Sequence, residues 1–157
     1  VSLRVGRYKK TMTNIEVNLR DVLEVCEKTM TVRVEPLVTM GQLTATLLPL
    51  GWTIPVVPEL DDLTVGGLIN GFGVETSSHK YGLFQHTCTE FELVMANGSV
   101  EVCNKDNNPD LFYAVPWSYG TLGFLVSAKI KIIPASKFVR VQYEPLFTRA
   151  DCSRRFE

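Results

Sequence analysis

Four glycines fall within eight residues, at Gly66, Gly67, Gly71 and Gly73, and this density limits what the segment can become. Glycine tolerates positive φ and lets a backbone or a ligand approach where a Cβ would stand in the way. A glycine-rich turn that opens a helix can offer consecutive main-chain N–H groups to an anion, with roughly 0.3–1 kcal/mol from the helix terminus per charge interaction. The string Thr64-Val65-Gly66-Gly67-Leu68-Ile69-Asn70-Gly71-Phe72-Gly73 predicts such a turn and a short helix opening near Thr64 or Gly66. Thr64 and Ser77 or Ser78 could add hydroxyl donors. The rival reading is that the glycines only permit tight helix packing, and the glycines alone leave both open.

Three other glycine motifs fail on inspection. No G-x4-G-K-[ST] string occurs, which removes the P-loop. The dinucleotide fingerprint G-x-G-x-x-G/A meets Thr76 in its last place when laid on Gly71. That stretch also does not directly follow a strand, and an Asn-Gly hairpin comes after it in place of a parallel crossover. The kinase glycine loop fails for the same reason.

Around this segment the chain alternates short strands and helices. Residues 14–19 alternate polar and apolar as a half-buried strand does. The stretches 22–26 and 31–34 read as a hairpin across Glu27-Lys28-Thr29. Thr39 is a helix N-cap for 40–50, and Gly51 its C-cap. Residues 52–57 form a short strand, 74–82 a polar loop, and 88–95 with 99–103 a hairpin around Asn97-Gly98. That turn is also the better reading of the Asn97-Gly98-Ser99 sequon. Asn108-Pro109-Asp110 opens a helix at 111–115. A second glycine loop spans 117–123, and strands follow at 124–134 and 138–143. The expected class is α+β, mixed strands with short helices and an antiparallel sheet.

Sixteen Lys and Arg against seventeen Asp and Glu leave a net charge of -1, which argues against a general nucleic-acid binder. Arg4, Arg7, Lys9 and Lys10 read as a solvated edge. The four cysteines, Cys26, Cys88, Cys103 and Cys152, form no CxxC, and with His79 and His86 suggest reduced thiols and no zinc site. No apolar run approaches the ~18–20 residues of a membrane span. The chain opens on Val1 and closes on Ser153-Arg154-Arg155-Phe156-Glu157, and both ends read as cut from a longer protein.

Longer strings carry a resemblance. Pro58-Glu59-Leu60-Asp61-Asp62-Leu63-Thr64-Val65-Gly66-Gly67, then Ser77 or Ser78 with Tyr81-Gly82, Ala96-Asn97-Gly98, Pro109-Asp110-Leu111-Phe112-Tyr113-Ala114, Gly120-Thr121-Leu122-Gly123 and Ile132-Ile133-Pro134 occur in order. Together they resemble the FAD-binding fold of the vanillyl-alcohol-oxidase/p-cresol-methylhydroxylase (PCMH) type. Val32-Arg33-Val34-Glu35-Pro36-Leu37-Val38-Thr39-Met40-Gly41-Gln42, Ser78-His79-Lys80-Tyr81-Gly82-Leu83-Phe84 and Ala114-Val115-Pro116-Trp117-Ser118-Tyr119-Gly120 narrow the resemblance to the delta-24-sterol reductase (24-dehydrocholesterol reductase) family, over nearly the whole chain.

The resemblance implies non-covalent FAD, NADPH as reductant, a sterol substrate whose side-chain double bond is reduced, and anchoring in the endoplasmic reticulum membrane by a segment outside this chain. It assigns cofactor binding to Thr64, Val65, Gly66, Gly67, Leu68, Ile69, Asn70, Gly71, Phe72, Gly73, Val74, Glu75, Thr76 and Ser77, and to Tyr81, Gly82, Thr121 and Gly123. It also implies a partial domain at 1–157, whose first FAD loop lies upstream and whose substrate cap lies downstream, so that the piece alone is inactive. An isolated alkene accepts hydride only with a proton donor close by. Tyr81, Tyr119 and His79 are local candidates, each better suited to packing or cofactor contact, and the donor is not identified. Two alternatives stand: a flavin oxidase of the same fold acting on an alcohol or sugar acid, and a non-catalytic protein that keeps the fold.

Overall fold

The structure is a computed structural model and describes residues 11–13 and 15–156. The cations at 4, 7, 9 and 10, and Asn14, lie outside the described residues. Five strands form one antiparallel sheet in the order β1-β2-β6-β4-β5: β1 Val22–Cys26, β2 Thr31–Val34, β4 Cys88–Val94, β5 Val100–Asn104 and β6 Phe124–Lys131. β3 Trp52–Thr53 and β7 Ile133–Pro134 pair in a separate two-stranded ribbon. Among the described residues α1 Met40–Leu47, α2 Val65–Asn70, α3 Ser78–Tyr81, α4 Pro109–Ala114 and α5 Arg149–Phe156 accompany them.

The period-2 pattern of the strands sorts their side chains onto two faces. Val32, Val34, Phe91, Leu93, Ala128 and Ile130 are buried in one cluster with Leu43 and Leu47 of α1 and Val65, Leu68 and Ile69 of α2. The other face is polar. There Arg33 lies 2.6 Å from Glu92, and Lys129 2.9 Å from Glu90. Ser127 Oγ donates to Glu92 at 2.7 Å. This hydroxyl, with the Arg33 guanidinium, holds the Glu92 carboxyl below the usual carboxylate range.

The two helices that matter most for the site begin side by side. Thr39 caps α1 by accepting from the Gln42 amide at 3.1 Å, and Thr64 caps α2 by accepting from the Gly67 amide at 3.2 Å. An antiparallel bridge joins the two caps, with Val65 N–H donating to Val38 O and Met40 N–H to Leu63 O, each at 2.9 Å.

Several expectations need correction. Residues 15–20 take no regular structure. Ile15 is 86% exposed, so the alternation there has no core to face. The strand at 52–57 pairs only over Trp52–Thr53, because Pro55 lacks an N–H for a ladder. Helix 40–50 divides into α1 and a 3-10 turn at Leu48–Leu50 that begins where Pro49 enters, and Gly51 closes it at φ +83°. The loop at 74–82 contains α3. Residues 138–143 form no strand, and Phe138, Val139, Val141 and Tyr143 stand exposed with no strand beside them among the described residues. Beyond them α5 forms where no helix was expected, held by Asp151 N–H donating to Thr148 Oγ1 and by the Arg155–Glu144 ion pair at 2.8 Å. No helix among the described residues is long and apolar enough to cross a membrane.

Candidate cofactor site

A groove of about 320 Å³ runs along α2 and the second glycine loop. Thr64, Gly66, Gly67 and Asn70 form one wall, and Gly120, Gly123 and Phe124 the other, with Pro36 and Leu37 beyond the end of β2. Glycine serves two different purposes in this wall. A Cβ on Gly66 would sit 2.8 Å from Pro36 Cβ and 3.1 Å from Pro36 O, so Gly66 permits helix and strand to touch. A Cβ on Gly67 would meet only Thr64 Oγ1 at 3.0 Å, so its bareness keeps the groove open.

The main-chain hydrogen bonds differ from those of a free anion cradle. Val65 N–H is taken by Val38 O, Gly66 N–H by Pro36 O at 2.8 Å, Gly67 N–H by Thr64 Oγ1 and Leu68 N–H by Thr64 O at 3.0 Å. The amides that open α2 therefore tie it to β2 and its own cap. The far end of α2 is equally occupied. Trp117 N–H donates to Ile69 O at 3.1 Å, Tyr119 N–H to Asn70 O at 3.0 Å, and Ser118 Oγ to Asn70 Oδ1 at 3.2 Å. Carbonyls at a helix C-terminus need such donors. Trp117 and Tyr119 adopt left-handed φ of +62° and +53° while making these bonds.

Of the expected cofactor residues, Thr64, Gly66, Gly67, Asn70 and Gly123 meet in the groove. Val65, Leu68 and Ile69 point their side chains into the core instead, as the inner face of a short amphipathic helix must. Gly71 N–H closes the helix on Gly67 O at 2.9 Å, Gly73 O accepts from Phe84 N–H at 2.9 Å, and Phe72 is exposed beside Thr64 and Gly67. Val74 is exposed. Glu75 accepts from Glu59 N–H at 3.1 Å, Thr76 O meets His79 Nδ1 at 2.6 Å, and Ser77 Oγ donates to Pro55 O at 3.0 Å. Tyr81 packs on the core under the Lys80 ammonium, and Gly82 turns at φ +78°. Thr121 Oγ1 donates to Ser118 O at 2.7 Å. None of the proton-donor candidates lines the groove: Tyr119 is exposed, and Tyr81 and His79 belong to α3.

The groove, at about 320 Å³, suits a part of a flavin nucleotide and not its charge. The bare glycines and the Thr64 and Asn70 side chains suit a sugar, an aromatic ring or a neutral stretch of chain. No lysine or arginine lines the groove among the described residues. Pro36, Leu37 and Phe124 had no local sequence signal as site residues. They reach the groove because β2 and β6 are neighbours in the sheet.

A sequence profile of the FAD binding domain matches residues 4–104. The chain is 68% identical over 146 residues to the human Delta(24)-sterol reductase, covering 93% of this chain and 28% of that protein. It is 50% identical over 150 residues to the Pisum sativum Delta(24)-sterol reductase, covering 93% of this chain and 26% of that one. Cytokinin dehydrogenase 4 of rice is 34% identical over 94 residues, covering 60% of this chain and 17% of that protein. The chain thus spans little more than a quarter of the length of the curated sterol reductases it matches. By the match over residues 4–104, which takes in the α2 wall of the groove, the chain belongs to the FAD binding domain family.

Proposed function

We propose that this chain is the flavin-holding part of an FAD-dependent sterol reductase that reduces the side-chain C24–C25 double bond with NADPH. The groove between α2 and the loop at 117–123, kept open by the missing Cβ of Gly67, is the observation that carries the reading. The likeness to Delta(24)-sterol reductases supplies the substrate class. FAD, when bound, supplies hydride to the substrate.

The residues here have a holding role. Thr64 and Asn70 orient a ligand through neutral hydrogen bonds, and Phe124 with Leu125 excludes water along one side. No described lysine or arginine lines the groove, so charge on the diphosphate is balanced by cations elsewhere in the intact protein. Substrate is enclosed by a part that follows it. The domain at 1–157 is partial, none of Tyr81, Tyr119 and His79 lines the groove, and the intact protein resides at the endoplasmic reticulum membrane through a segment elsewhere.

The test is Gly67→Val in the intact protein, followed by the visible flavin spectrum per mole of protein. The expected result is a loss of most bound flavin with a far-ultraviolet spectrum unchanged. Full flavin content in the variant would refute the groove as the cofactor site.

A further inference from the structure

A second concavity lies across the loop at 117–123 from the groove. Gln85, Phe112, Tyr113, Pro116 and Trp117 surround a cavity of about 290 Å³. It adjoins a polar cavity of about 390 Å³ that contains Lys129, Lys131 and Thr31, and the two share His86, Cys88 and Lys105 as common walls. One cleft thus has an aromatic end and a cationic end.

Three features set the aromatic end apart from ordinary surface. Trp117 holds a left-handed backbone at φ +62°, which costs a non-glycine residue on the order of 1–3 kcal/mol. Its ring is nonetheless 40% exposed and stands edge-on to His86 at 5.8 Å. Gln85 is 3% exposed, and its Nε2 donates to Gly71 O at 3.0 Å, yet its Oε1 has no hydrogen-bond partner. An orphaned buried carbonyl costs about 1–3 kcal/mol. His86 Nδ1 accepts from Leu83 N–H at 2.9 Å, which leaves its Nε2 to carry the proton of the neutral ring.

At the cationic end Lys129 is held by Glu90, whereas Lys105 and Lys131 make no ion pair with another described residue. Asp106 is the remaining carboxylate there, and a carboxylate accepts from sugar hydroxyls as readily as it repels phosphate. Aromatic faces beside cations free of a described ion pair match a nucleotide: base against Trp117, phosphate toward Lys105 and Lys131.

We propose that this cleft binds the adenine-nucleotide end of the phosphorylated dinucleotide reductant. The inference rests on the reductase reading for the identity of that nucleotide. The loop at 117–123 walls both spaces, through Trp117 on this side and Gly120 and Gly123 on the other. A dinucleotide seated in the cleft is one loop away from the flavin groove.

The test is calorimetric titration of the intact protein with 2′,5′-ADP, a redox-inert probe. Two variants are compared with the unaltered protein: Trp117→Gly, which removes the ring while easing a left-handed backbone, and the exposed pair Lys105→Glu with Lys131→Glu. Trp117→Gly is expected to weaken binding about ten- to a hundred-fold, the range for loss of a base stack, and the lysine pair at least about ten-fold through lost phosphate contacts, with thermal midpoint and flavin content retained in the lysine pair. No binding to the unaltered protein, or affinity within twofold in the lysine pair, overturns the proposal. Flavin absorbance is read on the same samples: its absence from the unaltered protein refutes the cofactor groove, while the titration still decides the nucleotide cleft.

Discussion

Gly66 and Gly67 are adjacent in sequence and should respond oppositely to alanine. A Cβ at Gly66 would lie 2.8 Å from Pro36 Cβ, whereas carbons in contact rest ~3.5–4.0 Å apart, so roughly 1 Å must open. Pro36 is buried, and its carbonyl accepts from the Gly66 amide at 2.8 Å, so helix and strand cannot separate without stretching that bond. Overpacking of this kind costs ~1–3 kcal/mol. Taking the middle of that range, about 2 kcal/mol, less the up to ~1 kcal/mol that replacing a helical glycine returns, leaves Gly66→Ala destabilised by about 1–2 kcal/mol. At Gly67 the only obstacle is the end of the Thr64 side chain, so Gly67→Ala keeps the helix gain and is neutral or stabilising. Thermal unfolding of the intact protein reads the difference. With about 2–4 °C per kcal/mol for a unit of this size, Gly66→Ala should melt lower by roughly 2–8 °C. A Gly66→Ala midpoint equal to or above that of Gly67→Ala would refute the packing role.

Other consequences can be measured in the same way. Thr64→Ala removes the cap of α2 and should cost ~1 kcal/mol, largely restored by Thr64→Ser; equal midpoints for all three would show that the cap is dispensable. Because Glu92 is held below its ordinary value, near pH ~4.3, its contribution is present above that pH and is lost as pH falls through the lower folded value. Its partner Arg33 is 40% exposed, so the gap between the unaltered protein and Glu92→Gln should stay under ~1 kcal/mol and close on acidification, as followed by denaturant midpoints; a gap that widens in acid contradicts the assignment. Burial pushes the Cys103 thiol up to about 11 and the Cys88 thiol higher still. The Thr29 hydroxyl lowers that of Cys26, and Cys152 is exposed. At pH 8 a thiol reagent should therefore label Cys26 and Cys152 well before Cys88 and Cys103, and rapid labelling of Cys88 would show that its pocket opens.

What could be read from the sequence was what local chemistry settles. The Asn97-Gly98 hairpin, the Thr39 cap, the helix opening near Thr64 and the Gly51 stop all rest on a few adjacent residues, and all appear in the fold. The failures at 15–19 and 138–143 have a common origin: alternation signals a strand only if another strand lies beside it. The groove was half legible. Gly66 and Gly67 stood out by glycine density and Gly123 through the family resemblance, yet the Val65 and Gly66 amides turn away from a ligand to Val38 and Pro36, some thirty residues earlier. Helix α5 was missed because its determinants are side-chain contacts of Thr148, Asp151, Arg154 and Arg155 on a segment with little apolar content.

The bridge between Thr39 and Thr64 makes a single girder of two helix starts. Through Val38 and Pro36, which follow directly on β2, that girder is anchored to the sheet. The groove therefore inherits the stiffness of the sheet, and a ligand entering it has little backbone to order before it is held.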